Sequence, residues 1–242
     1  MVDASFQWKS KAVSHVGKVR QHNEDSVLDK PAQGLWVVAD GMGGHEAGDI
    51  ASQMIVNTLD QLSPRAYISD YIDLVDDTLV RINQDLLDYS QKKLNGLTVG
   101  STAVCMITRG QLGVVLWVGD SRLYRLREDH LVQLTKDHSE VQRLVDEGVI
   151  TAEQAENSAF KNVLTRALGA HEVVDIDINA FDIAAGDRFL LCSDGLYNEL
   201  TEQEINTLIR ARPFDQVADV FTNKILNTPA RDNFSFIVIE PF

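Results

Sequence analysis

The sequence lacks the features that would mark several classes of protein. It has two cysteines, Cys105 and Cys192, and both lie within apolar runs, which predicts buried reduced thiols rather than a disulfide framework. Its six histidines form no His-x-His or His-Glu-x-x-His spacing and no Cys-x-x-Cys is present, which argues against a zinc enzyme. The five prolines are scattered and no low-complexity linker divides the chain, so we expect a single domain over residues 1–242.

Positive charge is also scarce. The chain has 22 Lys and Arg against 36 Asp and Glu, a net charge of −14. A surface this acidic repels nucleic-acid phosphates and anionic lipid headgroups. The N-terminus has no basic stretch followed by an apolar one, and no apolar run approaches the roughly 20 residues of a membrane-spanning helix. We therefore expect a cytoplasmic monomer that binds neither nucleic acid nor membrane.

Short apolar runs predict strands that are buried on both faces. Four such runs occupy residues 35–39, 114–118, 189–192 and 236–239. Residues 100–108 and 176–183 are further β-rich segments that we also expect to form strands.

Helices are predicted in two pairs. Apolar residues at helical spacing predict one helix from His45 to Leu62 and a second over residues 68–89, with Ser63-Pro64 as its start. A capping box from Thr201 to Glu204 opens a third helix, and residues 214–226 form a fourth. Because helices and strands come in blocks rather than in alternation, we expect an α+β fold in which antiparallel sheets pack together with helix pairs outside.

The segment over residues 137–160 interrupts the strand pattern. It is polar, has helical character, and carries six acids against Arg143 alone, a net charge of −5. We interpret it as a surface flap, and we expect its charge to disfavour acidic residues near a bound substrate group.

Four aspartates each lie at one end of a predicted buried strand: Asp40, Asp120, Asp194 and Asp232. Any one of them alone could be a turn former or a helix cap. If neighbouring strands present all four at one edge, they form a cluster of hard oxygen ligands whose mutual repulsion a cation would relieve. Carboxylates without sulfur favour Mg²⁺ or Mn²⁺.

Two further segments carry candidate residues. The run from Gly17 to Asp25 contains Arg20 and Glu24, although an ordinary charged turn would have the same composition. The glycine-rich run that begins at Gly41 matches neither G-x-G-x-x-G nor a P-loop, so it does not predict a nucleotide site. A glycine-rich turn does let backbone carbonyls approach a cation, which favours Gly41 as a ligand beside Asp40.

Eight motifs resemble, in order, those of the metal-dependent type-2C Ser/Thr protein phosphatases (the PPM family) in their compact bacterial form. They are GKVRQHNED (17–25), VVADGMGGHEAG (37–48), GSTAV (100–104), VGDSRLYR (118–125), LTKDHS (134–139), LTRALG (164–169), CSDGLYNEL (192–200) and ARDNFSFIVI (230–239). The resemblance implies a four-layer α-β-β-α sandwich and a hydrolase with two Mn²⁺ or Mg²⁺ ions at the sheet edge.

The resemblance also implies a ligand set. Asp40 matches the residue that bridges both ions, and Asp194 and Asp232 match ligands of the first. The carbonyl of Gly41, and Glu24 through water, match ligands of the second.

Other matched positions concern the substrate and the support of the site. Asp120, with Asp194, matches a third metal site of bacterial members, and Arg20 matches the arginine that holds the substrate phosphate. Asn233 is expected to orient Asp232. Ser121 is expected to support the site as well, although turn and strand packing would explain it equally.

The general acid is the point where the sequence departs from animal relatives, which have histidine directly after the Asp-Gly pair. This chain has Met42 there, which cannot donate a proton. His45 is a candidate for the role; the alternative is a residue that starts a helix and merely faces the cleft.

The sequence therefore predicts hydrolysis of phosphoserine and phosphothreonine in proteins by a metal-activated water, reversing the action of a partner Ser/Thr kinase in signalling. One alternative is a catalytically inactive relative that binds phosphoproteins; such relatives typically lack the ligand carboxylates, which are all present here. A Ca²⁺-stabilised structural domain is a further alternative, but its loop motif is absent.

Overall fold

The computed structural model describes residues 6–43, 47–156 and 158–242. Eleven β-strands within these residues form two antiparallel sheets. The strands are β1 (Trp8–His15), β2 (Asp25–Lys30), β3 (Leu35–Gly43), β4 (Val99–Ser101), β5 (Ala103–Arg109), β6 (Leu112–Val118), β7 (Arg122–Arg127), β8 (His130–Gln133), β9 (Asp177–Asp182), β10 (Arg188–Cys192) and β11 (Phe234–Pro241).

The first sheet has the order β1-β11-β10-β7-β8, and the second has the order β2-β3-β5-β6-β9 with β4 paired to β3. Both sheets pair strands that are far apart in the sequence: β1 with β11 in the first sheet, and β6 with β9 in the second. All six predicted strand regions are confirmed, with the region over residues 100–108 divided into β4 and β5.

The helices lie outside the sheets. They are α1 (Ala47–Asp60), α2 (Ile68–Lys93), α3 (Glu140–Asp146), α4 (Ala152–Glu156), α5 (Asp194–Tyr197), α6 (Glu202–Leu208) and α7 (Val217–Leu226), with short 3₁₀ turns at Pro31–Gln33 and Phe214–Gln216.

The predicted helix starts are confirmed in one case and wrong in another. Thr201 and Glu204 form the reciprocal capping box at the start of α6. The Ser63-Pro64 start of the second helix is wrong, because α2 begins at Ile68 after Tyr67, which makes no side-chain cap. The helical pattern rather than a capping side chain therefore sets the start of α2.

Three clusters of buried apolar side chains separate four layers. One lies between the second sheet and α1 and α2 and includes Leu35 and Val37. Another lies between the two sheets and includes Trp36 and Phe189. The last lies between the first sheet and α6 and α7 and includes Phe221. Alternate residues of β3 thus pack against helices and against the other sheet, and the α-β-β-α prediction is confirmed.

The segment over residues 137–160 contains α3 and α4. Its base is a short antiparallel contact in which Ser139 pairs with Leu164, and the Glu140 amide donates to the Val163 carbonyl at 2.8 Å. The Ser139 side chain caps α3, which has no buried residue. We call residues 137–160 the flap from here on.

Ion pairs reduce the charge of the flap. Arg143 lies within 2.7 Å of carboxylate oxygens of both Glu140 and Glu147. Two more flap acids pair with bases outside the segment, Asp137 with Arg122 at 2.6 Å and Asp146 with Lys136 at 2.7 Å. The flap therefore presents less negative charge than its composition suggests. Among the described helices, none has the length and apolarity to cross a membrane.

Candidate active site

One cavity of about 410 Å³ opens at the edge where the two sheets meet, and most of the predicted site residues line it. It brings together side chains from the loop before β2, the end of β3, the β6–β7 turn, the start of α5 and the turn before β11. The predicted residues that line it are Arg20, Glu24, Asp40, Gly41, Asp120, Asp194, Asp232 and Asn233.

The pairing of β2 with β3 adds a carboxylate that sequence reasoning missed. Asp25 lies directly opposite Asp40 in the antiparallel register. It is buried, and its Oδ2 accepts a hydrogen bond of 2.7 Å from the Ser193 hydroxyl. The sequence could have predicted this pairing from the four-residue connection over residues 31–34, because a short hairpin connection fixes which residues of the two strands face each other.

The main chain of Asp40 is held from both sides. Its amide donates to Thr102 Oγ1 at 3.1 Å, and its carbonyl accepts from the Thr102 amide and the Ser101 hydroxyl, both at 2.9 Å. Ser121 acts one step further away, since its hydroxyl lies 2.7 Å from Thr102 Oγ1. The two hydroxyls are buried and join the turn after β6 to the end of β3.

Two glycines allow the chain to close around Glu24. A Cβ on Gly41 would lie 2.0 Å from the Gly48 carbonyl oxygen, and a Cβ on Gly48 would lie 2.6 Å from Glu24 Oε1. The Gly41 amide donates to the Glu24 carbonyl at 3.1 Å. The Glu24 carboxylate accepts a hydrogen bond from the Gly48 amide near the start of α1, where negative charge is favoured.

The side chain of Asn233 makes its hydrogen bonds to segments other than Asp232. Its amide group donates to the carbonyls of Val16 and His22 at 2.9 Å, and its Oδ1 accepts from the Glu24 amide at 2.9 Å. The backbone amide of Asn233 is what donates to Asp232, at 2.8 Å. The side chain instead ties the loop before β2 to the turn before β11.

Asp120 and Asp194 are connected through α5. Asp194 begins this helix, and its Oδ2 accepts from Asn198 at 3.0 Å. Tyr197, at the end of the same helix, donates its hydroxyl to the Asp120 carbonyl at 3.0 Å. The ring of Tyr197 is covered by the Arg122 guanidinium at 3.6 Å, which holds the tyrosine in place.

Burial and mutual repulsion make these carboxylates costly to ionise. Burial, followed by neighbouring carboxylates, raises the pKa of Asp120 to about 7 and that of Asp194 to about 6. Burial raises the pKa of Asp25 to about 7 despite its serine hydrogen bond. Burial and then Asp25 raise the pKa of Asp40 well above its usual value, and burial also raises the pKa of Glu24.

This donor set fits a hard divalent cation. Every candidate ligand is an oxygen, as Mg²⁺ and Mn²⁺ prefer, and a cation would relieve the repulsion that raises the pKa values. Within residues 6–43, 47–156 and 158–242, no three acidic, histidine or cysteine side chains already stand in ligating geometry.

Two arginines line the same cavity. Arg20 donates to Asp232 at 2.8 Å, which raises the pKa of the guanidinium, and its side chain remains 49% exposed. Arg166, which sequence reasoning did not single out, pairs with Asp177 at 2.7 Å. Both place positive charge at an otherwise acidic cleft.

Two other groups bear on the chemistry of the cleft. Met42 lines the cavity, whereas His45 lies outside the described residues. Both cysteines are fully buried, and burial raises the pKa of the Cys105 thiol to about 12 and that of Cys192 further. Neither thiol can therefore serve as a nucleophile at neutral pH.

Stacked sheets with an acidic, arginine-lined cavity at their edge suit the class of hydrolases that use divalent cations. A family model described as Protein phosphatase 2C matches residues 14–231. The chain belongs to the protein phosphatase 2C family, and the resemblance drawn from its motifs is confirmed.

Individual relatives agree with this assignment. The chain is 36% identical over 232 residues to the serine/threonine phosphatase stp of Listeria innocua, an alignment that covers 93% of this chain and 92% of the relative. Its structure is similar to PppA of Pseudomonas aeruginosa, with 38% identity, a TM-score of 0.90 and coverage of 98% and 100%. It is also similar to the catalytic domain of PstP in complex with two manganese ions, with 32% identity, a TM-score of 0.87 and coverage of 98% and 99%.

Proposed function

We propose that this chain hydrolyses phosphoserine and phosphothreonine esters in proteins with the help of bound Mn²⁺ or Mg²⁺, and so reverses Ser/Thr kinase signalling. The observation that carries the proposal is the convergence of five carboxylates and Arg20 on one cavity, with the buried Asp25 opposite Asp40. The names of its relatives and the two manganese ions in the PstP structure support it.

The proposed ligand set is the one that the family resemblance implies. Asp40 would contact two ions, with Asp194 and Asp232 on the first and the Gly41 carbonyl, and Glu24 through water, on the second. The buried Asp25 stands opposite Asp40 and would accept a hydrogen bond from a water between them.

A third ion is proposed at the side of the cavity where Asp120 and Asp194 lie. Tyr197 and the α5 helix hold these two residues in a fixed relation, which favours a site that both share.

When bound, the divalent ions supply Lewis-acid chemistry: they lower the pKa of a coordinated water and neutralise phosphoryl charge. The chain supplies the positioning. Arg20 would bind the non-bridging phosphate oxygens with its planar guanidinium, and the carboxylates would orient the attacking water. Because both cysteine thiols are buried, the chemistry proposed here forms no phosphocysteine intermediate.

Protonation of the leaving oxygen needs another group, because Met42 has no proton to give. We propose His45 for this role. His45→Ala should then lower kcat for a phosphopeptide far more than for p-nitrophenyl phosphate, whose leaving group needs no proton. Equal losses on both substrates would contradict this assignment.

The proposal extends to the setting of the reaction. We propose that residues 1–242 act as one monomeric phosphatase domain in the cytoplasm, with the flap beside the cavity, on phosphoproteins made by a partner Ser/Thr kinase.

The test is phosphate release from a phosphothreonine peptide with Mn²⁺, after EDTA, and after Mn²⁺ is restored. We expect activity only with metal, and loss of activity in Asp194→Asn. Asp85→Asn, an exposed change on α2, is the matched control and should retain activity. Undiminished turnover after complete metal removal would refute the proposal. Peptide binding without turnover would favour the inactive relative instead.

A further inference from the structure

A second cavity, of about 670 Å³, adjoins the active-site cavity. The two share Asp120, Asn162 and Asp194 as lining residues, so these three side chains lie between them. One wall of the second cavity comes from α3 and α4 of the flap, and the other from α5, α6 and the residues between them. We call this cavity the flank groove. Its volume is within the range of about 300–1,000 Å³ typical of ligand pockets.

Apolar side chains of the flap face the flank groove. Val141 and Val145 of α3 and Ala155 of α4 line this wall and are partly exposed. On the opposite wall, Leu200 and Ile205 are 3% and 1% exposed and belong to the core beneath α6 and α7. An amphipathic helix normally buries its apolar face against a core. Here α3 buries no residue, so its valines stay partly exposed toward the groove. The groove therefore offers apolar surface that another chain could cover.

The floor of the groove is charged but internally neutralised. The Arg122 guanidinium makes hydrogen bonds of 2.6–3.1 Å to both oxygens of Asp137 and a further one to the Tyr124 hydroxyl. Its positive charge is thus committed within the protein. An acidic substrate residue would find little to bind there.

The rim of the groove is acidic on the α6 side. Glu199 and Glu202 line it, and Glu202 is exposed in the first turn of α6. The base opposite, Lys161, donates to the Asn198 side chain at 3.1 Å. A basic group of the occupant therefore matches this rim.

We propose that the flank groove binds the substrate residues next to the phosphoserine or phosphothreonine, with an apolar side chain against Val141 and Val145 of α3 and a basic residue toward Glu202. The inference rests on the proposed function and specifies its substrate class. The shared lining of the two cavities carries it, because a peptide whose phosphate lies at Arg20 must extend beyond the cleft, and this neighbouring cavity is large and has a partly exposed apolar wall.

The test measures kcat/KM for phosphothreonine peptides in which a single leucine is moved through the positions on each side of the phosphoresidue. Hydrolysis of p-nitrophenyl phosphate, which is too small to reach the groove, provides the reference. We expect one leucine position to raise the peptide-to-reference ratio about tenfold, the effect of burying much of one leucine side chain.

Variants then locate that preference. Val145→Glu places a charge on the apolar wall and should abolish the leucine effect, whereas Val149→Glu changes a flap valine that is 63% exposed and does not line the groove, and should preserve it. Ala155→Trp fills the groove from α4 and gives an independent loss if Val145→Glu fails to fold.

A second pair of variants tests whether Glu202 selects a basic residue in the substrate. Glu202→Lys should reverse a preference for arginine near the phosphoresidue, and Gln203→Lys, in the same helical turn but outside the groove lining, should not. Glu202→Lys adds two units of positive charge at the start of α6 and Gln203→Lys adds one, so Glu202→Gln, which also adds one, completes the comparison at equal charge and should weaken the arginine preference.

The outcomes separate this inference from the proposed function. Turnover of peptides with no leucine preference, or a preference that survives both Val145→Glu and Ala155→Trp, would overturn the groove assignment alone. Failure of the Mn²⁺-loaded wild-type protein to turn over any substrate would overturn the proposed function and this inference with it.

Discussion

Replacing one buried carboxylate of the cavity should stabilise the metal-free protein. The gain should grow as the pH rises from the pKa of the carboxylate in the unfolded chain to its pKa in the folded protein. Asp120 is suited to the test because burial, followed by repulsion from Asp194, raises its pKa to about 7. The folded-state pKa lies above the unfolded value, so the group favours folding below pH about 4. That contribution is lost as the pH rises through about 7, because folding then buries a charge.

The size of the effect follows from the pKa. A shift from 3.8 to about 7 is about three units, and at 1.4 kcal/mol per unit it costs about 4 kcal/mol of folding free energy once the group is ionised. Neighbouring carboxylates titrate together, so removing one relieves others, and we expect about 2–4 kcal/mol for Asp120→Asn at pH 8. For a chain of this length that raises Tm by on the order of 10 °C.

The assay is thermal unfolding in EDTA at pH 5 and pH 8, for wild type, Asp120→Asn and the exposed control Asp85→Asn. We expect Asp120→Asn to unfold at a higher temperature than wild type at pH 8, and the difference to shrink at pH 5. Adding Mn²⁺ at pH 8 should stabilise wild type more than the variant. An equal difference at both pH values, or destabilisation at pH 8, would refute the reasoning.

Three further changes test separate parts of the structure. Arg20→Ala should raise KM for a phosphothreonine peptide by about tenfold or more, because a charge-assisted hydrogen bond to the phosphate is lost, and an unchanged KM in steady-state kinetics would contradict the role of Arg20. Gly41→Ala should abolish both folding stability and activity, because its Cβ would lie 2.0 Å from the Gly48 carbonyl oxygen. The control Gly148→Ala has nothing within 4 Å of the added Cβ. It should lower the free energy of unfolding, measured by chemical denaturation, by only about 1 kcal/mol. Thr201→Ala removes the α6 capping box and should cost about 1 kcal/mol of unfolding free energy without changing kcat, and loss of kcat would show that α6 affects the cavity more directly.

The position of the aspartates at strand ends was the main basis for predicting where the cavity lies. Asp40, Asp194 and Asp232 each follow or precede a run of apolar residues, and a strand buried on both faces can place a charged side chain only where it leaves the core. The sequence therefore located the edge of the sheets that bears the site. The block order of helices and strands likewise indicated the layers, since helix pairs could pack only on the outer faces.

Features that depend on pairing between distant segments were not accessible in the same way. Asp25 lies opposite Asp40 because β2 is in register with β3, whereas its sequence context alone resembles a charged turn. The side chain of Asn233 serves the loop around Val16 and His22, more than 200 residues away, rather than its neighbour Asp232. Adjacency in sequence was a poor guide to side-chain contacts here.

The charge of the flap was misjudged for a similar reason. Composition counts Asp137 and Asp146 as excess negative charge, but they pair with Arg122 and Lys136, which lie outside the segment. We therefore propose that Glu202 on α6, rather than the flap as a whole, selects substrates by charge. Composition gives net charge, while three-dimensional proximity decides which charges remain available.

The central claim, that the carboxylates of the cavity hold the divalent ions that support hydrolysis, is tested most directly by counting bound Mn²⁺. Equilibrium titration at pH 7.5 should give at least two Mn²⁺ per chain for wild type, and clearly fewer tight sites for Asp40→Asn, with phosphopeptide turnover falling in parallel. The same stoichiometry and affinity in both proteins would contradict the claim, because the residue proposed to contact both ions would then contribute nothing to binding them.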